Sequence, residues 1–327
     1  VALMSAPAPE LSYMQDAIEE LGRYPMLRGL QIRYTWAELE PVRGQFDFSR
    51  IERDLALLAA ADKRLFILIQ TKSFNETSPA LPAYLETEVV DGGTYEFEVG
   101  AYMESADAPT YGRNIKLWNN KIQARLIALT SALGRRFNSH PSLEGVALTE
   151  TALGVPTVPI SGAQENAYFV NLLRVNGALR TAFPSTVTLQ FTNYPKNQLS
   201  TFVSGLLSAG AGLGGPDVFL DDPGLATGVY PYYRQLAGKV ALGPSVQSEN
   251  YIARRHGGPY DPQSIAEIYQ FSRNELKANY VFWTRRAYPQ DNPWAEVLRF
   301  MSDPSFPKDP AGGLASACPT SYSGCRE

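Results

Sequence analysis

Leu143-Glu144-Gly145-Val146-Ala147-Leu148-Thr149-Glu150, near the middle of the chain, reads as a short buried strand that runs straight into a carboxylate. Small and β-branched apolar residues without polar alternation suit a parallel strand covered on both faces. A glutamate at the C-terminal tip of such a strand has no packing role. In a barrel of alternating strands and helices, that tip is where chemistry sits. The pattern recurs in Pro244-Ser245-Val246-Gln247-Ser248-Glu249-Asn250-Tyr251, a strand with a second glutamate at its exit.

Working outward, strands and helices alternate. A short apolar run at residues 1–4 precedes an amphipathic segment at 11–21. Strand-like stretches follow at 28–36, 65–70, 143–148, 186–192, 217–220, 240–249 and 279–284. Helical patterns fall between and after them, at 50–62, 119–137, 166–182, 198–209, 230–237, 262–277 and 293–301. Strict alternation implies parallel strands with helical crossovers, and eight such units predict an α/β chain folded as a (β/α)8 TIM barrel. A doubly wound open sheet would need a glycine-rich phosphate turn after the first strand, and none is there. The one G-x-G-x-x-G match, Gly210-Ala211-Gly212-Leu213-Gly214-Gly215, follows a helix and precedes a strand. That order is the reverse of a dinucleotide site, so it reads as a flexible loop.

We expect a single catalytic domain over residues 1–327, with a long rim insertion after strand 3 at 71–118 and a C-terminal tail at 303–327. Within the insertion, residues 89–99 read as a hairpin around Asp91-Gly92-Gly93. Its aromatics (Tyr84, Tyr95, Phe97, Tyr102, Tyr111, Trp118) form either a sugar-stacking wall or a small satellite core.

Of the 327 residues, 44% are hydrophobic and 19% charged, which is a folded globular composition rather than a disordered one. A formal net charge of −4 argues against a general nucleic-acid binder. No apolar run is long enough to span a bilayer. Only two histidines occur, so a His-rich metal centre is not expected, and no cofactor or metal is called for. His140, before Pro141 at a helix-to-strand turn, reads as structural and on the far face. Cys318 and Cys325 in the tail suit a small disulfide loop, and with it an oxidising compartment, secreted or periplasmic; two free thiols are the alternative. Oligomeric state is not legible.

Trp36-Ala37-Glu38-Leu39-Glu40-Pro41-Val42-Arg43-Gly44-Gln45-Phe46-Asp47-Phe48 resembles the W-x-x-L-E-P-x-x-G-x-Y/F-D-F run of barrel glycoside hydrolases whose catalytic glutamates end strands four and seven. These are the β-galactosidase- and β-xylosidase-like retaining enzymes. The resemblance implies Glu150 as acid/base and Glu249 as nucleophile. It implies Arg33, on strand two, bonded to that nucleophile, and Trp283 as an aromatic floor under the reacting sugar. Trp36, Asn193 and Tyr251 are further substrate-binding candidates. The chain departs from the pattern at Thr149, where the family keeps an asparagine for the sugar 2-hydroxyl; a threonine hydroxyl offers one donor rather than two.

The chemistry also stands on the residues alone. Cleaving a glycosidic bond needs a proton for the leaving oxygen and a negative charge beside the developing oxocarbenium ion. Two carboxylates about 5–5.5 Å apart supply both by double displacement. Lys72, Arg254, Arg255, His256, Arg285 and Arg286 crowd the strand exits, either to read an acidic group on the substrate or as rim salt bridges, with Asp221 and Asp222 as available partners. Two further readings remain: a carbohydrate-binding barrel without activity, which Thr149 permits, and a polysaccharide lyase that abstracts a proton beside a uronate with basic residues near Tyr251 or His256.

Overall fold

The computed structural model describes residues 2–6, 11–74, 80–99, 110–252, 263–286, 292–309 and 311–322. Eight parallel strands close into a barrel: β1 (Ala2–Ala6), β2 (Leu27–Thr35), β3 (Arg64–Gln70), β4 (Leu143–Leu148), β5 (Val187–Phe191), β6 (Gly212–Gly215), β7 (Leu242–Val246) and β8 (Val281–Thr284). β1 pairs with both β2 and β8, which closes the ring. The helices Leu11–Arg23, Ser49–Ala60, Asn120–Phe137, Gly162–Ala182, Lys196–Ala209, Tyr230–Leu236, Ile265–Asn274 and Pro293–Ser302 follow the strands in turn. The (β/α)8 expectation from the alternation is met.

Alternation of side chains across each strand separates two cores. Phe66 and Leu68 of β3, Ala147 of β4, Leu189 and Phe191 of β5, Ala241 before β7 and Phe282 of β8 fill the barrel interior. Phe66 and Phe282 meet edge-on at 5.0 Å. Their neighbours Leu65, Ile67, Ile69, Val146, Leu148, Val281 and Trp283 belong to the larger core shared with the helices.

Strand six is a correction to the sequence reading. It is Gly212–Gly215, inside the glycine-rich run read as a loop, and not residues 217–220. The reason is steric. A Cβ at Gly214 would lie 2.2 Å from Cδ1 of Phe191, and one at Gly212 would lie 2.4 Å from Cδ2 of Leu189. β6 gives up its side chains so that the large residues of β5 can fill the axis. The loss of apolar signal hid the strand.

Between β3 and the helix Asn120–Phe137 the chain builds a small antiparallel sheet in which Thr94–Val99 pairs with Thr110–Ile115. The predicted hairpin is therefore displaced: Asp91-Gly92-Gly93 leads into the first strand rather than joining two. Lys72–Ser73 and Val155–Pro156 extend the same sheet, tying it to the exits of β3 and β4. Tyr95 and Phe97 are buried, and Tyr95 packs 5.4 Å from Trp118, as in a satellite core. Tyr102 lies outside the described residues, as does Cys325, on which the predicted disulfide depends.

The W-x-x-L-E-P-x-x-G run is a latch at the exit of β2. Glu40 is fully buried; it accepts from Trp36 Nε1 (2.9 Å), Tyr84 Oη (2.7 Å) and the Gly44 amide (2.8 Å), and pairs with Arg125. The E-x-x-x-G spacing lets the chain turn back on the carboxylate, through a Gly44 with φ of +79° that favours glycine.

At the opposite end of the barrel, His140 Nδ1 accepts the amide of Ser142 (3.1 Å) in the turn that enters β4. Burial, then Arg136, holds its pKa below the ordinary histidine value. A base whose pKa is lowered on folding stabilises fully above its unfolded value and loses that contribution as pH falls through the folded one. The thermal midpoint should therefore drop below about pH 6.5 more steeply in the wild type than in His140→Asn, whose side-chain oxygen accepts at any pH. Parallel Tm–pH curves would refute this role.

Candidate active site

Glu150 stands two residues past the end of β4, and two neighbouring strand exits hold its two carboxylate oxygens. From β5, Asn193 Nδ2 donates to Oε2 at 2.7 Å. From β3, Lys72 Nζ approaches Oε1 at 3.4 Å. Asn193 is itself fixed, its Oδ1 accepting from the amides of Ala152 (3.0 Å) and Tyr194 (2.9 Å). Asn193 thus serves Glu150 rather than lying open to substrate as predicted.

Arg33 projects from β2 toward the same mouth. Burial pushes its guanidinium below the ordinary arginine value, and the charges of Glu150, then Glu249, pull it back up. Both glutamates follow the C-terminal ends of parallel strands, so the barrel brings them to a common end. The Arg33 hydrogen bond, however, goes from Nη2 to Gln247 Oε1 at 3.3 Å, and not to Glu249.

β7 ends at Val246, so Glu249 is not at the strand tip as predicted. It lies exposed in the one-turn helix Ser248–Ile252. The buried Asn250 sets this geometry: its Oδ1 accepts the amides of Gln247 (2.7 Å) and Val218 (3.2 Å), which folds the chain into a turn. With Asn250 turned inward, the preceding residue faces solvent, since successive helical side chains diverge by about 100°. Gln247 takes the inward position, its Nε2 bonded to Ser245 Oγ at 2.9 Å. Counting by twos from the inward-facing Ser245 leads to it, although an amide carries no sign of a catalytic carboxylate.

Four other predicted contacts are corrected. Trp283 is 1% exposed, belongs to the core shared with the helices, and borders a small cavity there with Met26, Tyr269, Met301 and Phe306. Phe282, one residue earlier, faces the interior, so the parity of β8 excludes Trp283 as a sugar floor. Trp36 is buried with its indole N–H on Glu40. Tyr251 is buried and donates its hydroxyl to the Thr284 carbonyl (3.0 Å), a structural contact where a substrate contact was expected. Thr149 meets Thr71 hydroxyl to hydroxyl at 2.6 Å, a clasp between the exits of β4 and β3.

Two members of the basic rim have structural partners. Lys72 is buried against Glu150, and Arg285 pairs with Glu20 at 2.9 Å. Asp222 caps the helix Pro223–Thr227 through the Leu225 amide (2.9 Å), while Asp221 is exposed. Arg286 is exposed beyond β8; Arg254, Arg255 and His256 lie outside the described residues. Among the described residues, no cluster of His, Cys, Asp and Glu is arranged to hold a metal, and no helix is long and apolar enough to cross a membrane.

No protein-family model and no curated protein matches the chain. Solved structures do resemble it. The catalytic domain of β-amylase from Paenibacillus polymyxa aligns with a TM-score of 0.56 at 11% identity, over 86% of this chain and 92% of that one. β-Galactosidase from the psychrophilic Marinomonas ef1 aligns at 0.59 and 8% identity, over 92% of this chain but only 58% of its own. Endo-glycoceramidase II from Rhodococcus sp. aligns at 0.58 and 13% identity, over 90% of this chain and 75% of that one. At such identities the likeness establishes the barrel fold.

Proposed function

We propose that the chain is a glycoside hydrolase that cleaves a glycosidic bond in an oligo- or polysaccharide by double displacement. The observation that carries the reading is the placement of two carboxylates at the C-terminal end of one parallel barrel, Glu150 just past β4 and Glu249 in the turn after β7, with Arg33 of β2 reaching Gln247 of that same turn. Glu249 attacks the anomeric carbon as the glycosidic C–O bond breaks, and Glu150 gives its proton to the leaving oxygen. Glu150 then takes a proton from water, whose oxygen displaces Glu249 from the sugar. The barrel resemblance to sugar-cleaving enzymes supports the substrate class by analogy of fold.

A second reading has its own observation. The Arg33 hydrogen bond goes to Gln247, an amide that cannot act as a nucleophile. That favours a carbohydrate-binding barrel without turnover. A panel of neutral and uronate-containing saccharides and aryl glycosides separates the two. The wild type should release reducing ends, and Glu150→Gln should lose about 10²–10⁴-fold on unactivated sugars. Calorimetric binding with no product from any member would favour the second reading.

A further inference from the structure

The lysine after β3 is almost wholly enclosed beside Glu150. Its side chain is 2% exposed, while Glu150 beside it is 18% exposed. Three acceptors converge on Nζ: Glu150 Oε1 at 3.4 Å, the Glu150 carbonyl at 3.5 Å, and the Ala152 carbonyl. An ammonium has three N–H donors, so this set saturates it. The rings of Phe74 and Phe97, with centroids 5.6 and 5.8 Å away, line the remaining side. The backbone is equally fixed: Lys72 pairs with Asn114 in the rim sheet, and its carbonyl accepts from Gln70 Nε2 at 2.8 Å.

We propose that Lys72 is a positioning residue for Glu150: a buried charge that fixes the carboxylate and the 150–152 backbone in the orientation from which Glu150 delivers its proton. The proposal rests on the reading of Glu150 as proton donor. The charged or titratable groups facing Glu150 are Lys72 from the exit of β3, Arg33 from β2, Tyr168 from the helix after β4, and Glu249, which reaches it through the shared Arg33. Arg33 and Glu249 oppose one another in charge, and Tyr168, pushed up to about 12 chiefly by burial, stays neutral at working pH. Lys72 is the one among them in direct ionic contact with Glu150. The coupling is reciprocal: burial pushes the Lys72 ammonium below its ordinary value, and Glu150 pulls it back up.

Two measurements test this. In Lys72→Met, which keeps the length and loses the charge, kcat/KM on an unactivated glycoside should fall about tenfold or more. The loss should fall on kcat with KM little changed, because substrate still binds while the donor is no longer held in place. An unchanged kcat, or a loss confined to KM, would reduce Lys72 to a packing residue and overturn the proposal. The second measurement needs no activity. The side-chain ¹³Cε resonance of Lys72, assigned by its absence in Lys72→Met, should titrate at lower pH in Glu150→Gln than in the wild type. An unmoved Lys72 titration overturns the proposal whatever the enzyme cleaves. A moved titration in a protein that cleaves no glycoside would instead overturn the hydrolase reading and leave the Lys72–Glu150 coupling standing.

Discussion

Glu150→Ala is expected to release a burst of phenol from an activated aryl glycoside and then turn over slowly, whereas Glu249→Ala should release almost none. The two carboxylates fail at different steps. A phenolate of low basicity leaves without a proton, so the first bond still breaks when the donor is missing. The glycosyl group then stays on Glu249, because Glu150 is also the base that activates water for the second step. Azide attacks without a base and should restore turnover in Glu150→Ala, giving a glycosyl azide of retained configuration. In Glu249→Ala no covalent intermediate can form, and azide could give only the inverted product. Loss on unactivated substrates should reach about 10²–10⁴-fold for Glu150→Ala. Full activity of Glu150→Ala on such substrates would remove it as donor. Asp221 would then be the rim carboxylate to test, since Asp222 is already committed to a helix cap.

Glu40→Ala should have the largest effect on stability. Its carboxylate is wholly buried and is the shared acceptor for Trp36, Tyr84 and Gly44, as well as the partner of Arg125. Removing it leaves a half-buried guanidinium without its counter-ion and three donors without an acceptor. Breaking a buried ion pair from one side costs about 3–5 kcal/mol. Urea denaturation followed by fluorescence should show that loss, with Trp36 among the reporters. The urea m-value should hold, as the same surface is exposed on unfolding. A loss below about 1 kcal/mol would mean that solvent reaches the latch and satisfies its donors.

The same residue shows what the sequence disclosed and what it withheld. The run from Trp36 to Phe48 pointed to the right fold, because its spacing encodes a turn closed on a buried carboxylate. Its role is architectural, and Trp36 is part of that architecture rather than of a sugar site. The barrel was legible because strands such as residues 65–70 are continuous apolar runs between amphipathic helices. β6 was not, since a strand that yields its volume to Leu189 and Phe191 carries no apolar signal. Glu150 could be read from its place just past a buried strand. Its supports could not: Lys72 and Asn193 come from 78 and 43 positions away in sequence, and only the closed barrel sets them on the two oxygens of one carboxylate. The facing of Trp283 and the strand-tip placement of Glu249 both differ from expectation by a small step along the chain. One register step at β8 turns an aromatic from the axis to the helices, and two residues of turn after β7 place an amide where a carboxylate was expected.

The configuration of the first-formed sugar tests the pairing of Glu150 with Glu249 most directly. Hydrolysis of a cleaved member of the saccharide panel, followed by ¹H NMR before mutarotation, should show the anomer of the substrate first and its epimer only later. That retained product requires two displacements and therefore a nucleophile within reach of the anomeric carbon. An inverted first product would mean that water attacks directly, with Glu249 at most its base, and would contradict the double-displacement assignment.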